Sequence, residues 1–226
     1  MEATRPLNER QRADGQPRAD EWQRRRAFVQ QLYRLHRALT SENPRLSGEA
    51  RRTLARLRRS FAGPRQEAEA YEFVFPHDPP EREQKLWLLV AGLFALHPHG
   101  DTGTGRSVGT AMRMLADERV SAQRRFTQLV SVDPDHLPYY LRQMIQLLRS
   151  DDVAIDYHRL LSDLVRMHSG REAAQEVRLR WARDYYRPRV PGNRSAGTGD
   201  GAGDAGQAAS PEPPSPEVPA TSPTDA

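Results

Sequence analysis

Apolar residues recur at three- and four-residue intervals along most of this chain, and each such stretch predicts a helix with one buried stripe. The first is expected from an N-cap at Asp20 to Leu39, with Val29, Leu32, Tyr33, His36 and Leu39 in its stripe. The second, over 47–61, places Ala50, Leu54, Leu57 and Phe61 on one side before Gly63-Pro64 stops it. A shorter segment over 66–75 ends at Pro76. Asp78-Pro79-Pro80-Glu81 then offers a carboxylate cap, proline in the first turn and an acid at N3. The helix this opens, to about His97, is apolar almost all round and is expected to be the most buried element.

The stretch from His97 to Gly105 (HPHGDTGTG) is a loop by composition. Four further helices are marked by Val108, Met112 and Leu115; by Phe126, Leu129 and Val130; by Leu141, Met144, Ile145 and Leu148; and by Leu160, Leu161, Leu164 and Val165. Ser169-Gly170-Arg171-Glu172 has the form of a capping box for a last helix, whose inner face is Val177, Trp181 and Tyr185 and which Pro188 ends. No run alternates with the period of a strand, and no repeat is present. The expected fold is all-α, with two packed helical sub-bundles over about 21–100 and 106–190.

Composition separates the two ends from this body. Residues 1–20 hold four basic and four acidic residues with no large apolar side chain beyond Met1 and Leu7. Residues 191–226 hold seven prolines, six glycines and five acids, with Val218 the only large aliphatic. Neither end buries enough surface to offset its ordering entropy, so both are expected to lack structure. The whole chain carries 34 basic and 30 acidic residues, and the body, 21–190, keeps 29 and 21 of them, a surplus of eight positive charges. A basic body with an acidic tail suits a polyanionic partner. The 226 residues contain no cysteine, which excludes disulfide scaffolds, thiolate metal sites and cysteine nucleophiles. The longest apolar run, from Leu86 to Leu96, is too short to span a bilayer, and the charged start (MEATRPLNER) does not read as a signal peptide, so a cytoplasmic protein is expected.

Two patterns invite a catalytic or metal reading. From Gly100 to Ser107 the spacing is that of a P-loop, with Arg106 where the phosphate-binding lysine belongs. A P-loop follows a strand, whereas an apolar helix precedes this one, so nucleotide binding stands as the weakest of three readings. His97-Pro98-His99 with Asp101 nearby lacks a third ligand at helical spacing, and neither a metal nor another cofactor is expected. No nucleophile elbow or paired carboxylates stand out, so no catalytic residue is assigned.

Arginine placement is the stronger signal. Arg51, Arg52, Arg56, Arg58 and Arg59 lie within nine residues, with no acid after Glu49 in that helix, and spread around the side opposite its apolar stripe. Arg124 and Arg125 stand at the start of the Phe126 helix, while Arg142 and Arg149, and likewise Arg106 and Arg113, are expected to share faces. In the last helix Glu172, Glu176 and Asp184 are available to Arg171, Arg180 and Arg183, the ordinary pattern of a solvated face. In the second helix such partners are missing, and a phosphate backbone would relieve the repulsion. Aromatics are 7% of the chain and mostly fall on inner faces, so binding through shape and backbone, steeply dependent on salt, is expected. A helical adaptor for acidic proteins is the second reading.

The order of segments over 22–186 resembles the CasB family, the small subunit of the type I-E CRISPR surveillance complex, Cascade. The resemblance is carried by GRSVGTAMRMLADERVSAQRRFTQLV (105–130), DHLPYYLRQMIQLLRSDDVAIDYHRLLSDL (135–164) and VRLRWARDYY (177–186). Its most telling parts are the RRF triplet at Arg124–Phe126 and L-R-x-x-x-x-L-L from Leu141 to Leu148. The resemblance implies an all-helical, non-catalytic subunit, present as two copies beside the crRNA-bearing backbone and the large subunit. It further implies a basic surface that holds target DNA and the displaced strand of the R-loop. Arg51 and Arg52 match a basic pair on the family's early helix, Arg124 and Arg125 its R-R before an aromatic, and Arg142 its L-R-[RQ] position. Thr110 stands where some members carry arginine, with Arg106 or Arg113 a turn away.

Overall fold

The computed structural model describes residues 7–188, apart from 102, 104, 117 and 118. These residues form nine α-helices and no strand: α1 (Leu7–Leu39), α2 (Pro44–Arg59), α3 (Pro64–Val74), α4 (Gln84–Leu96), α5 (Val108–Ala116), α6 (Val120–Ser131), α7 (Leu137–Ser150), α8 (Tyr157–His168) and α9 (Arg171–Tyr186). The all-α expectation holds. The acidic tail, 191–226, and residues 1–6 lie outside the described residues.

The predicted stripes are the buried ones. Val29, Leu32 and Tyr33 of α1, Ala50, Leu54 and Leu57 of α2, and Val177, Trp181 and Tyr185 of α9 all face inward. In α4, Trp87, Leu88 and every residue of 90–96 are buried. That helix packs against α2 and α3 on one side and α7 and α8 on the other. The two halves either side of the 97–105 loop are thereby joined by one continuous apolar cluster, from Phe28 to Tyr185.

Helix starts and caps depart from expectation, at α4 and α9 because the expected capping group has another partner. The chain is helical from Leu7, so Asp20 is not a cap and 7–19, expected to lack structure, belong to α1. That stretch holds three arginines, two alanines and two glutamines, which favour helix, but also Gly15 and Pro17, which do not, so its composition alone does not account for the helix. The second helix begins at Pro44 rather than at 47, because Asn43 accepts a hydrogen bond from the Arg45 amide at 3.0 Å and proline occupies the first turn. Asp78 does not cap α4: it sits in the left-handed region (φ 49°) and pairs with Arg24 of α1 at 2.6 Å. Nor does Ser169 form a capping box, since its hydroxyl donates to the Arg166 carbonyl at the end of α8.

Each buried tryptophan donates its indole N–H to a buried carboxylate. Trp87 donates to Glu83 at 3.1 Å, and Trp181 to Asp163 at 2.6 Å. Burial pushes the Glu83 carboxyl up, but hydrogen bonds from Arg25 and Trp87 and the charges of Arg25 and Arg82 prevail and hold it below the usual range. At Asp163 burial prevails over Trp181 and Arg180, and the carboxyl is raised. These contacts fix α1 on the start of α4 and α9 on α8.

Among the described glycines, the closest approach of a neighbouring element is that of α9 to Gly109 of α5. A Cβ at Gly109 would stand 2.0 Å from the Trp181 carbonyl oxygen, so the two backbones meet where a side chain is missing. Gly109→Ala is therefore expected to force the helices apart and to cost about 3 kcal/mol or more, read as a lowered midpoint of urea unfolding. An unchanged midpoint would mean that the interface tolerates separation.

Candidate nucleic-acid interface

Between α4 and α5 the chain loops through 97–107, and between α7 and α8 it crosses the core through 153–156. The two segments satisfy one another. His97 Nε2 donates to the Val153 carbonyl (3.1 Å), Arg106 Nη1 to the Ala154 carbonyl (3.0 Å), the Ile155 amide to His99 Nε2 (3.1 Å), and the Asp156 amide to the Arg106 carbonyl (3.0 Å). Because His99 Nε2 accepts, its proton is on Nδ1, which donates to the Gly100 carbonyl at 2.7 Å. The Tyr157 amide donates to the Tyr33 hydroxyl, and the Tyr157 hydroxyl reaches the carbonyls of Leu93 and His97, adding α1 and the end of α4. Burial raises both phenols above their ordinary range.

This arrangement accounts for the residues that suggested a P-loop or a metal. Arg106 is turned inward onto Ala154, and Ser107 caps α5, accepting from the Thr110 amide at 3.1 Å and donating to Asp184 at 2.6 Å. The loop follows helix α4, not a strand, and Thr102 and Thr104 lie outside the described residues. The ring nitrogens of His99 and Nε2 of His97 are held by backbone groups, and no group of three His, Cys, Asp or Glu able to hold a metal occurs among the described residues.

The predicted arginines divide into three sets. Arg51, Arg52, Arg124, Arg125 and Arg149 are exposed, with no hydrogen-bond or ion-pair partner among the described residues. Arg142 is exposed and lies over the Phe61 ring, its guanidinium 5.1 Å from the centroid. The others are engaged within the molecule. Arg56 pairs with Glu72 at 2.6 Å and Arg59 with Glu69 at 3.7 Å, both acids coming from α3, and Arg58 donates to the Ala95 carbonyl at 3.1 Å. So α2 is less uncompensated than its own sequence implies, because its neighbour supplies carboxylates. Arg113 donates to the Arg187 carbonyl at 3.0 Å, and Arg106 precedes α5, so these two do not share a helical face. Arg124 and Arg125 fall in the second turn of α6, which begins at Val120.

The expected pairing within α9 is also replaced. Glu176 binds Arg166, Asp184 binds Arg159 at 2.9 Å, and Arg180 binds Asp163, all across the α8–α9 contact. Arg171 and Arg183 are left exposed without partners among the described residues, as are Arg37 and Arg65. Helix α2 packs on α1, α3 and α4, and α6 on α5, α7 and α9, so Arg51 and Arg52 do not share a surface element with Arg124 and Arg125. Four aromatics, Trp22, Phe75, Tyr139 and Tyr186, are exposed against the general inward pattern. Tyr139 is 60% exposed, and its place two residues after Leu137, off the 137, 141, 144, 148 stripe, was the signal for it.

Fold and charge together define an all-helical protein that keeps its buried carboxylates paired and turns unpaired guanidinium groups outward. Residues 53–186 match the family described as CRISPR-associated protein Cse2, and the chain belongs to that family. It is 36% identical over 152 residues to the Cse2 protein of Thermus thermophilus, covering 63% of this chain and 84% of that one. The CasB crystal structure from Thermobifida fusca is similar over 73% of this chain and 98% of its own, with 27% identity and a TM-score of 0.58. A Cse2-family structure from Thermus thermophilus gives 31% identity over 70% and 96%, with a TM-score of 0.54. A chain of a CRISPR RNA-guided surveillance complex shares the fold at 22% identity over 74% and 92%, with a TM-score of 0.57. Arg51 and Arg52 lie just ahead of the family match, and the remaining candidate arginines lie within it.

Burial, and then the charges of His97, His36 and Arg106, outweigh the hydrogen bond to Gly100 and lower the His99 pKa to about 4. A folded-state value below the ordinary 6.5 means that the unfolded chain binds the extra proton between those limits. Stability is thus complete above pH 6.5 and is lost as pH falls toward 4, by on the order of 3 kcal/mol for this group. The melting temperature is expected to fall across that window and to fall less steeply in His99→Gln; equal slopes would contradict the assignment.

Proposed function

We propose that this protein is the non-catalytic small subunit of a type I-E Cascade complex, acting in antiviral defence by holding target DNA and the displaced strand. Two copies sit beside the crRNA-bearing backbone and the large subunit, and guide pairing supplies the sequence specificity. The observation that carries the reading is the set Arg51, Arg52, Arg124 and Arg125, exposed on α2 and α6 with no partner of their own among the described residues. Membership of the Cse2 family and the fold shared with a surveillance-complex chain support it.

Energetics favour modest contacts of this kind. Opening an R-loop exchanges one duplex for another of similar stability, so a few charge-assisted contacts to the displaced strand shift the balance. Rigid helices fix the backbone positions of these arginines before the strand arrives, leaving their long side chains free to find phosphates. Surface ion pairs such as Arg56–Glu72 are worth at most about 1 kcal/mol, so those arginines exchange a carboxylate for a phosphate at little cost.

Reversing Arg51, Arg52, Arg124 and Arg125 to Glu is expected to leave the melting temperature near that of the parent and to shorten R-loop lifetime in the assembled complex. Single-stranded DNA binding by the isolated protein is expected to lose up to about 3 from its log–log salt slope. Equal R-loop lifetimes would remove the proposal, and absence of DNA affinity at low salt would favour the adaptor reading.

A further inference from the structure

The cleft between α6 and α7 brings together groups that phosphate binding alone does not use. Arg125 and Gln128 of α6 and Tyr139, Tyr140, Gln143 and Met144 of α7 line about 320 Å³. That is within the range of small-ligand sites, about 300–1,000 Å³. The Tyr139 ring stands perpendicular to that of Tyr140, with centroids 5.3 Å apart, so a neighbour steadies it without burying it. The side-chain polar groups of Gln128, Tyr139, Tyr140 and Gln143 have no hydrogen-bond partner among the described residues. Met144 is buried and gives the cleft an apolar element.

The charge around it favours an anion. Residues 120–150 contain Arg124, Arg125, Arg142 and Arg149 against two acids, Asp133 and Asp135, both in the turn between the helices. A free cation, an exposed aromatic ring and two carboxamides within one cleft match the parts of a nucleotide. A base stacks on an aromatic face, amides both donate to and accept from its edge, and a guanidinium takes the adjoining phosphate. An acidic peptide would engage the arginine but would leave the ring and the amides without a role.

We propose that this cleft receives one unstacked base of a single-stranded nucleic acid, with Tyr139 against its face, Gln128 and Gln143 at its edge and Arg125 on the neighbouring phosphate. Paired bases are stacked inside a duplex, so the occupant is a single strand, the form that the displaced strand takes. Carboxamides donate and accept equally, so the site accepts any base. The inference rests on the nucleic-acid reading above and adds to it a contact to the base.

The test uses the full-length protein and two oligonucleotides of equal length, one of mixed sequence carrying 2-aminopurine and one made of abasic sites. The parent is expected to quench 2-aminopurine on binding. Tyr139→Ala is expected to bind the base-bearing strand about five- to hundredfold more weakly, the range for loss of one stacked base, and without quenching. Tyr139→Phe, which keeps the ring, should bind like the parent, and all three should bind the abasic strand equally. Arg124→Glu with Arg125→Glu should weaken both strands. If Tyr139→Ala binds the base-bearing strand as tightly as the parent while the arginine reversal still weakens it, the base site is overturned and the backbone reading stands. If the parent binds neither strand at low salt, both fall.

Discussion

A backbone segment that crosses the core between two helices must find a partner for each amide and carbonyl it buries. Residues 153–156 meet that demand with groups from a loop roughly fifty residues earlier: two imidazoles, one guanidinium and one main-chain carbonyl. Both halves of the protein converge there, since Tyr33 of α1, the end of α4 and the start of α8 complete the same network. His97, His99 and Arg106 are thus held by structural work, and Arg106, at the position of the phosphate-binding lysine, is turned onto the Ala154 carbonyl instead. His99 accepts from the Ile155 amide only while it is neutral, and burial keeps it so.

Charge is sorted by depth. Glu83 and Asp163 each accept from a tryptophan and an arginine, so no buried carboxylate of this pair is left bare. Farther out, exposed ion pairs join α2 to α3 and α8 to α9. Beyond these lie guanidinium groups with nothing to bind within the described chain. The proposed polyanion contact rests on this outermost set, and the proposed base site would add the α6–α7 cleft to it.

The helices and their inner faces were legible from spacing alone, because burial of a stripe is what stabilises each helix. Helix starts were not, since capping groups have competing partners: Asp78 is taken by Arg24, far along the chain, and Ser169 by the last turn of the preceding helix. The same blindness applies to charge. That α3 would lend Glu69 and Glu72 to α2 is a property of packing, and no reading along one helix reveals it. The off-stripe position of Tyr139, by contrast, is legible in the sequence, although most aromatics here do face inward.

The meeting of α5 and α9 at Gly109 has a mechanical consequence. Because main chain touches main chain there, no side chain lies between the two rods to act as a cushion. The same contact is continued by hydrogen bonds, from Ser107 to Asp184 of α9 and from Arg106 to the Ala154 carbonyl, so α9, α5 and the 153–156 segment form one connected series. A single missing methyl group thereby lets the last described helix bear directly on α5.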